Sequence, residues 1–219
     1  MGQVFGVQQV AEPSFKVLYR SSGAVAYEIR RYGTRFAAEA TFDPSKDEDA
    51  TPFRLLARYI GVFGNPENEC SQSIAMTAPV VKQKPQQISM TAPVVKQTGK
   101  AGKMIMSFLL PADMDDMSKI PKPTNEKVAI KSIPPATGAV YRYAGSQSTE
   151  TTRDNAMLLG KQLQEDGIQM DGERILSTHQ FWGYNPPFTL FFLRRNEVWL
   201  ELSDDEVRHL TAAATSGPN

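Results

Sequence analysis

The sequence predicts an α+β fold. Two strand–helix–strand halves join edge to edge into one distorted antiparallel β-sheet or open barrel, with two long helices on it. Three observations predict this. Strands, then a helix, then strands run over about residues 15–110, and the same order runs again over about 128–202. Each half has few strands and one amphipathic helix, so each has a single sheet face to cover and edges that the other half can pair. No stretch between the halves is long and flexible enough to separate independent domains, so 13–203 reads as one domain and 204–219 as a tail.

Taken in order, Phe15, Val17 and Tyr19 alternate with polar or small residues, as in a half-buried strand. Ser21-Ser22-Gly23 marks a turn. Ala24–Tyr32 and Arg35–Phe42 are two more strands, and with Gly33 between them they read as a hairpin. Thr51-Pro52 opens a helix: threonine caps, and proline is tolerated at the first helical position because its missing N–H has no intrahelical partner. Phe53, Leu56, Ala57, Ile60 and Phe63 form its apolar stripe, and Gly64-Asn65-Pro66 ends it. Arg54 and Arg58, four apart, share a neighbouring face. Lys103–Leu110 is a strong strand, Pro111–Thr124 a long connection, and Val128–Ile133 a strand stopped by Pro134-Pro135. Gly138–Gly145 is a strand. Thr149–Asp166 is a helix with Ala156, Leu159 and Leu163 as its stripe and Gly167 as its stop. Glu173–Tyr184 reads as one strand, and Thr189–Arg194 with Val198–Leu202 as a hairpin around Arg195-Asn196-Glu197. The small-residue tail after Asp205 reads as frayed.

Between the first helix and the Met-rich strand lies a duplicated phrase. IAMTAPVVKQ at 74–83 returns as ISMTAPVVKQ at 88–97, differing only at Ala75 against Ser89. The period is too short for a solenoid, so a locally duplicated strand-like segment is the simplest reading. The copies also fit the arms of one hairpin about Lys84–Gln87, against which Pro79 and Pro93 count because each lacks a donor. One copy is expected beside the first helix, and the other as an edge hairpin or loop near the mouth of a groove.

Composition mostly excludes. The 24 basic and 24 acidic residues leave no global field to draw in nucleic acid or an anionic membrane. A single cysteine, Cys70, allows no internal disulfide, which fits a reducing cytoplasmic setting. With two histidines, His179 and His209, a Cys/His zinc cluster is excluded by count. No apolar run approaches the roughly 18 residues of a membrane span. The opening MGQVFGVQQV lacks the basic region and apolar core of a secretory signal, and Gly6 stands where a myristoylation motif wants Ser or Thr. There is no nucleophile elbow, Gly-rich phosphate loop or Cys with a His partner. The expectation is a soluble cytoplasmic protein with no catalytic residue assigned.

MTAPV after a helix ending Tyr59-Ile60-Gly61, a strand ending Leu109-Leu110-Pro111, GYNPPF at 183–188 and RRNEVWL at 194–200 together resemble the SOUL haem-binding protein family. The resemblance spans about 13–203, and the doubled MTAPV and the opening MGQVFG are similar to plant- or alga-type cytosolic members. It implies two pseudo-repeated units in a distorted barrel related to bacterial effector-binding domains. It also implies reversible binding of haem or another tetrapyrrole in an apolar groove. A basic residue on the first helix then faces the propionates, and the tyrosine of the Gly-Tyr-Asn-Pro-Pro turn lines the site: here Arg58 and Tyr184. The candidate haem-binding set is Phe53, Arg54, Ala57, Arg58, Tyr184 and Pro187. Some members ligate iron with an early histidine; none precedes His179 here, so a carrier or buffer without strong axial ligation is expected.

Each sharp reading has a bland counterpart. Arg54 and Arg58 also suit a solvated helix face. Met76 and Met90 more often fill core gaps than bind iron. His179, in a strand-like pattern, reads as a hydrogen-bonded structural histidine, and His209 lies in the tail. Cys70 reads as an exposed thiol. Glu197 reads first as a hairpin residue paired with Arg194 or Arg195, and second as the buried carboxylate that some effector-binding relatives use. Tyr184 with Glu197 supports an alternative, hydrolysis of an apolar ester or chlorophyll-type substrate. A third reading is a protein-interaction module using the second helix or the duplicated loop.

Overall fold

The computed structural model describes residues 11–47, 50–84, 103–185 and 189–215. In chain order they form β1 (Phe15–Arg20), β2 (Tyr27–Tyr32), β3 (Arg35–Phe42), α1 (Ala50–Ile60), β4 (Val80–Gln83), β5 (Met104–Leu109), β6 (Val128–Ile133) and β7 (Ala136–Tyr143). Then come α2 (Thr149–Glu165), α3 (Gly172–Thr178), β8 (Gln180–Gly183), β9 (Asn196–Glu201) and α4 (Asp204–Thr215). The fold is α+β. The strands make one antiparallel sheet in the order β1-β2-β7-β9-β8-β4-β5-β3-β6.

That order contains a pseudo-twofold about the β8–β4 pair. The unit β2-β3-α1-β4-β5 is repeated as β6-β7-α2-β8-β9, and the first strand of each unit crosses over: β2 pairs with β7, and β6 with β3. The hairpin expected of Ala24–Tyr32 and Arg35–Phe42 is therefore not formed. A two-residue hairpin loop needs left-handed φ values. Gly33 does not adopt one, and at the equivalent link Pro134 and Pro135 have φ fixed in the negative range. Both links instead carry the chain straight across to the other unit. The closing hairpin also fails: 191–193 is a 3₁₀ turn, and β9 pairs with β7 and β8.

Both faces of the sheet are used. On one face α1 packs over β3, β5 and β6, burying Leu56, Ala57, Tyr59 and Ile60 against Ala38, Met106 and Phe108. On the same face α2 packs over β7 and β9, α3 over β9, and α4 beside β1, with Leu159, Leu163, Ile175, Val198 and Leu200 at the centre. The other face carries Tyr32 from β2 in one cluster with Ala37 from β3. These strands lie near opposite ends of the sheet order, so the sheet must curl for them to meet. Its inside is filled by Trp182, Trp199, Val81, Val140 and Leu109.

Other elements depart from the sequence reading for local reasons. Gly61, at φ +88°, ends α1 before Phe63, which is exposed. The strand read over Glu173–Tyr184 divides into α3 and β8. Asp171 caps α3 by accepting from the Arg174 N–H at 2.7 Å, and Ile175 is buried against Gly160 of α2. The tail read as frayed is helical. Ser203 Oγ accepts from the Glu206 N–H, and the Glu206 carboxylate accepts from the Ser203 N–H, a reciprocal cap. Val207 and Leu210 then bury one face of α4. The first copy of the duplicated phrase supplies β4, the strand that joins the two units; the second copy lies outside the described residues.

Candidate ligand-binding cleft

On the helix-bearing face no helix is centred on the middle of the sheet. α1 sits on β3, β5 and β6, and α2 on β7 and β9, while the four-residue strands β4 and β8 run between them. The result is a cleft of about 350 Å³, at the small end of ligand-site volumes. Pro44 and Met104 form one wall, and Thr149, Thr152 and Arg153 of α2 with Leu176 of α3 the other. Phe181, Lys82 and Gln83 line the floor, with Lys84 and His179 at its margin. Met104 also packs in the cluster that holds Phe53, so the first turn of α1 backs that wall.

The lining combines apolar side chains with Lys82, Lys84 and Arg153, and among the described residues it includes no carboxylate. Burial, chiefly, and then the neighbouring Lys84 and Arg153 hold the His179 imidazole below its ordinary value, although its bond to the Ile175 carbonyl works the other way. The arrangement suits an amphipathic anion: flat apolar surface against Phe181, Leu176 and Met104, carboxylates toward the cations.

The inside of the curled sheet is different. Glu197 of β9 is fully buried, and each oxygen accepts two hydrogen bonds. Oε2 accepts from Arg30 Nη1 at 2.9 Å and from the Tyr184 hydroxyl at 2.7 Å. Oε1 accepts from Arg195 Nε at 3.1 Å and Nη2 at 2.9 Å. Arg30 also donates to Glu28, and Arg195 to Glu12. Burial, with Glu197 alongside, pushes the Tyr184 phenol far above its ordinary range. Beside this network Trp182 and Trp199 stack at 5.5 Å, with the Tyr32 ring against both. The Arg35 guanidinium lies 4.6 Å from the Tyr32 ring. Tyr32 Oη and Arg35 Nε are buried without a well-formed hydrogen bond, although Arg30 stands close to the phenol.

The residues singled out by sequence fall in separate places. Phe53 and Ala57 face the sheet under α1, Phe53 in edge contact with Phe108. Arg54 and Arg58 are on the solvent side of α1, and Arg58 faces Glu67 at 3.5 Å. Tyr184 joins the opposite, inner face. Pro187 and Met90 lie outside the described residues. Glu197 is paired with Arg195, as its first reading had it, is also buried, and gains Arg30 from a strand far away in sequence. Met76 and Cys70 are exposed, and neither lines the cleft. His209 lies on α4 against Gly167. The cleft residues His179, Arg153, Lys84 and Met104 come from four separate segments, and the pairing of β4 with β5 and β8 brings the ends that carry Met104, Lys84 and His179 side by side.

A family model described as SOUL heme-binding protein matches residues 10–201. The chain belongs to the SOUL haem-binding protein family. That is a family of binding proteins, and its ligand class is haem and related tetrapyrroles. No curated protein matches this SOUL chain. Among solved structures, it is similar to the EcmrR C-terminal domain at 10% identity and TM-score 0.49, covering 83% of this chain and 99% of that one. It is similar to SAV2435 bound to tetraphenylphosphonium at 12% identity and TM-score 0.45, covering 84% and 97%. A hydrolase encoded by lin2189 from Listeria innocua matches at 10% identity and TM-score 0.48, covering 81% and 91%. At this identity and overlap these are likenesses of shape, and no function is taken from them. Among the described residues of the SOUL chain, no helix is long and apolar enough to cross a membrane.

Proposed function

We propose that this SOUL protein binds haem or another tetrapyrrole reversibly in the cleft between α1 and α2, as a carrier or buffer in the cytoplasm. The observation that carries the reading is the lining: the apolar side chains of Pro44, Met104, Leu176 and Phe181 stand beside three cations, with no carboxylate among the described residues. Haem is a flat, mostly apolar ring with two propionates, and the lining fits both parts. Burying a few hundred Å² of it is worth on the order of 10 kcal/mol at about 25 cal/mol per Å². Association costs roughly 4–15 kcal/mol. The surplus is modest, so the charge-assisted contacts to the propionates decide the affinity. A small cleft with a modest surplus supports exchange of ligand rather than permanent retention.

The hydrolase alternative rests on Tyr184 and Glu197. Both Glu197 oxygens are already engaged by two guanidiniums and the phenol. The phenol is held protonated. A pair so occupied favours a structural role over acid–base work.

Absorbance titration with haemin tests the binding reading. A Soret shift that saturates at one equivalent is expected; a linear, non-saturating response overturns it. Lys84→Glu with Arg153→Glu should weaken haemin and iron-free protoporphyrin by about tenfold or more. Arg58→Ala, measured alongside, tests whether the solvent face of α1 also meets the propionates.

A further inference from the structure

His179 closes α3, and its backbone N–H donates to the Ile175 carbonyl at 3.1 Å. Its ring Nδ1 lies 3.0 Å from the same carbonyl oxygen. A carbonyl only accepts, so Nδ1 carries the proton and Nε2 of the neutral ring carries a lone pair. Among the described residues Nε2 has no hydrogen-bond partner. The ring is half-buried and lines the cleft with Phe181, Leu176 and Met104. Lys84 and Arg153 are near enough to disfavour its protonation, while the lining offers no carboxylate among the described residues to favour it. One ring nitrogen is fixed by backbone, and the other is left available to a ligand. A backbone acceptor on one ring nitrogen is also the arrangement that orients a metal-ligating histidine.

We infer that His179 is an axial iron ligand for haem held in this cleft, through Nε2. This rests on the tetrapyrrole reading of the site and gives it an iron-specific component. His179 donates its Nε2 lone pair to the iron in place of a water, and because Nε2 carries no proton, none is released. The single early-chain histidine used by other members is not required. His209 has no part in it, since it sits on α4 beside Gly167.

The test compares wild type, His179→Ala and His209→Ala with two probes, haemin and iron-free protoporphyrin IX. The wild-type and His209→Ala complexes should show an iron–imidazole stretch in the resonance Raman spectrum of the ferrous haem state. His179→Ala should lose that band, regain it with added imidazole, and bind haemin about tenfold more weakly. Its affinity for protoporphyrin IX should be unchanged. Haemin binding with the band retained in His179→Ala overturns the inference and leaves the tetrapyrrole reading standing. An equal loss of haemin and protoporphyrin affinity in His179→Ala also overturns it, because it assigns His179 a packing role. Failure of the wild type to bind either probe saturably overturns the tetrapyrrole reading and the inference with it.

Discussion

At the scale of single residues, Glu197 stands out because it is fully buried yet faces four donors. Removing its charge would leave Arg30, itself buried, and Arg195 without their common partner. Breaking a buried pair costs more than the pair contributes, because a charge is left uncompensated. Glu197→Gln should therefore lower stability by about 3 kcal/mol in urea unfolding. Tyr184→Phe removes one donor of four and should cost about 1 kcal/mol. A Glu197→Gln protein as stable as wild type would show that the network is not an anchor. The same substitutions should leave haemin affinity within about twofold, since these side chains face away from the cleft. Glu197 was legible as an interesting acid beside Arg195, but its pairing with Arg30 was not. That contact spans 167 residues and depends on β7 lying between β2 and β9.

At the scale of elements, two predictions follow from how the helices dock. In α2, a Cβ added at Gly160 would lie 2.2 Å from Cδ1 of the buried Ile175. Glycine allows this close approach. Gly160→Ala should destabilise by about 1 kcal/mol net, although Ala is the better helix former. In an Ile175→Ala background the same substitution should become neutral or stabilising, and an unchanged cost there would contradict the packing argument. α4 gives the pH prediction. Burial alone would push the Glu206 carboxyl up, but Arg174 and the Ser203 donors more than offset this and hold it below its ordinary 4.5. A depressed folded value means stability that is present above the unfolded value and is lost as pH falls through the folded one. Glu206→Gln should therefore melt a few degrees below wild type at pH 7. The two curves should converge as the pH drops below 4.5; a gap that persists in acid would contradict the linkage. Strong periodicity made α1, α2, β3 and β5 legible in the sequence. α3 and α4 were not, since α3 is short and both are fixed by caps and by tertiary partners: Ile175 on Gly160, Arg174 on Glu206.

At the scale of the whole molecule, the crossed first strands matter most. β2 belongs to one unit by sequence and pairs with β7 of the other, and β6 does the converse with β3. Neither unit can complete its own sheet, so unfolding should be one cooperative event. Differential scanning calorimetry should show a single transition whose calorimetric and van't Hoff enthalpies agree, and two resolved transitions would contradict the crossover. The repeat itself was visible in the order of elements. The crossover was not, because a two-residue link between strands carries the same pattern whether it turns back or passes on. The family resemblance pointed to α1 and the Tyr184 turn together, and in the structure they lie on different faces of the sheet. The cleft between α1 and α2 is the consequence of two helices centred on the flanking strands, with none centred on β4 and β8. Its claim to the ligand is most directly tested by NMR with a diamagnetic metalloporphyrin. The account predicts that the Met104 methyl and the Thr152 and Arg153 amides shift, while the Trp182 and Trp199 indole N–H signals stay in place. Shifts at the two indoles with Met104 unmoved would put the ligand inside the curled sheet and contradict it.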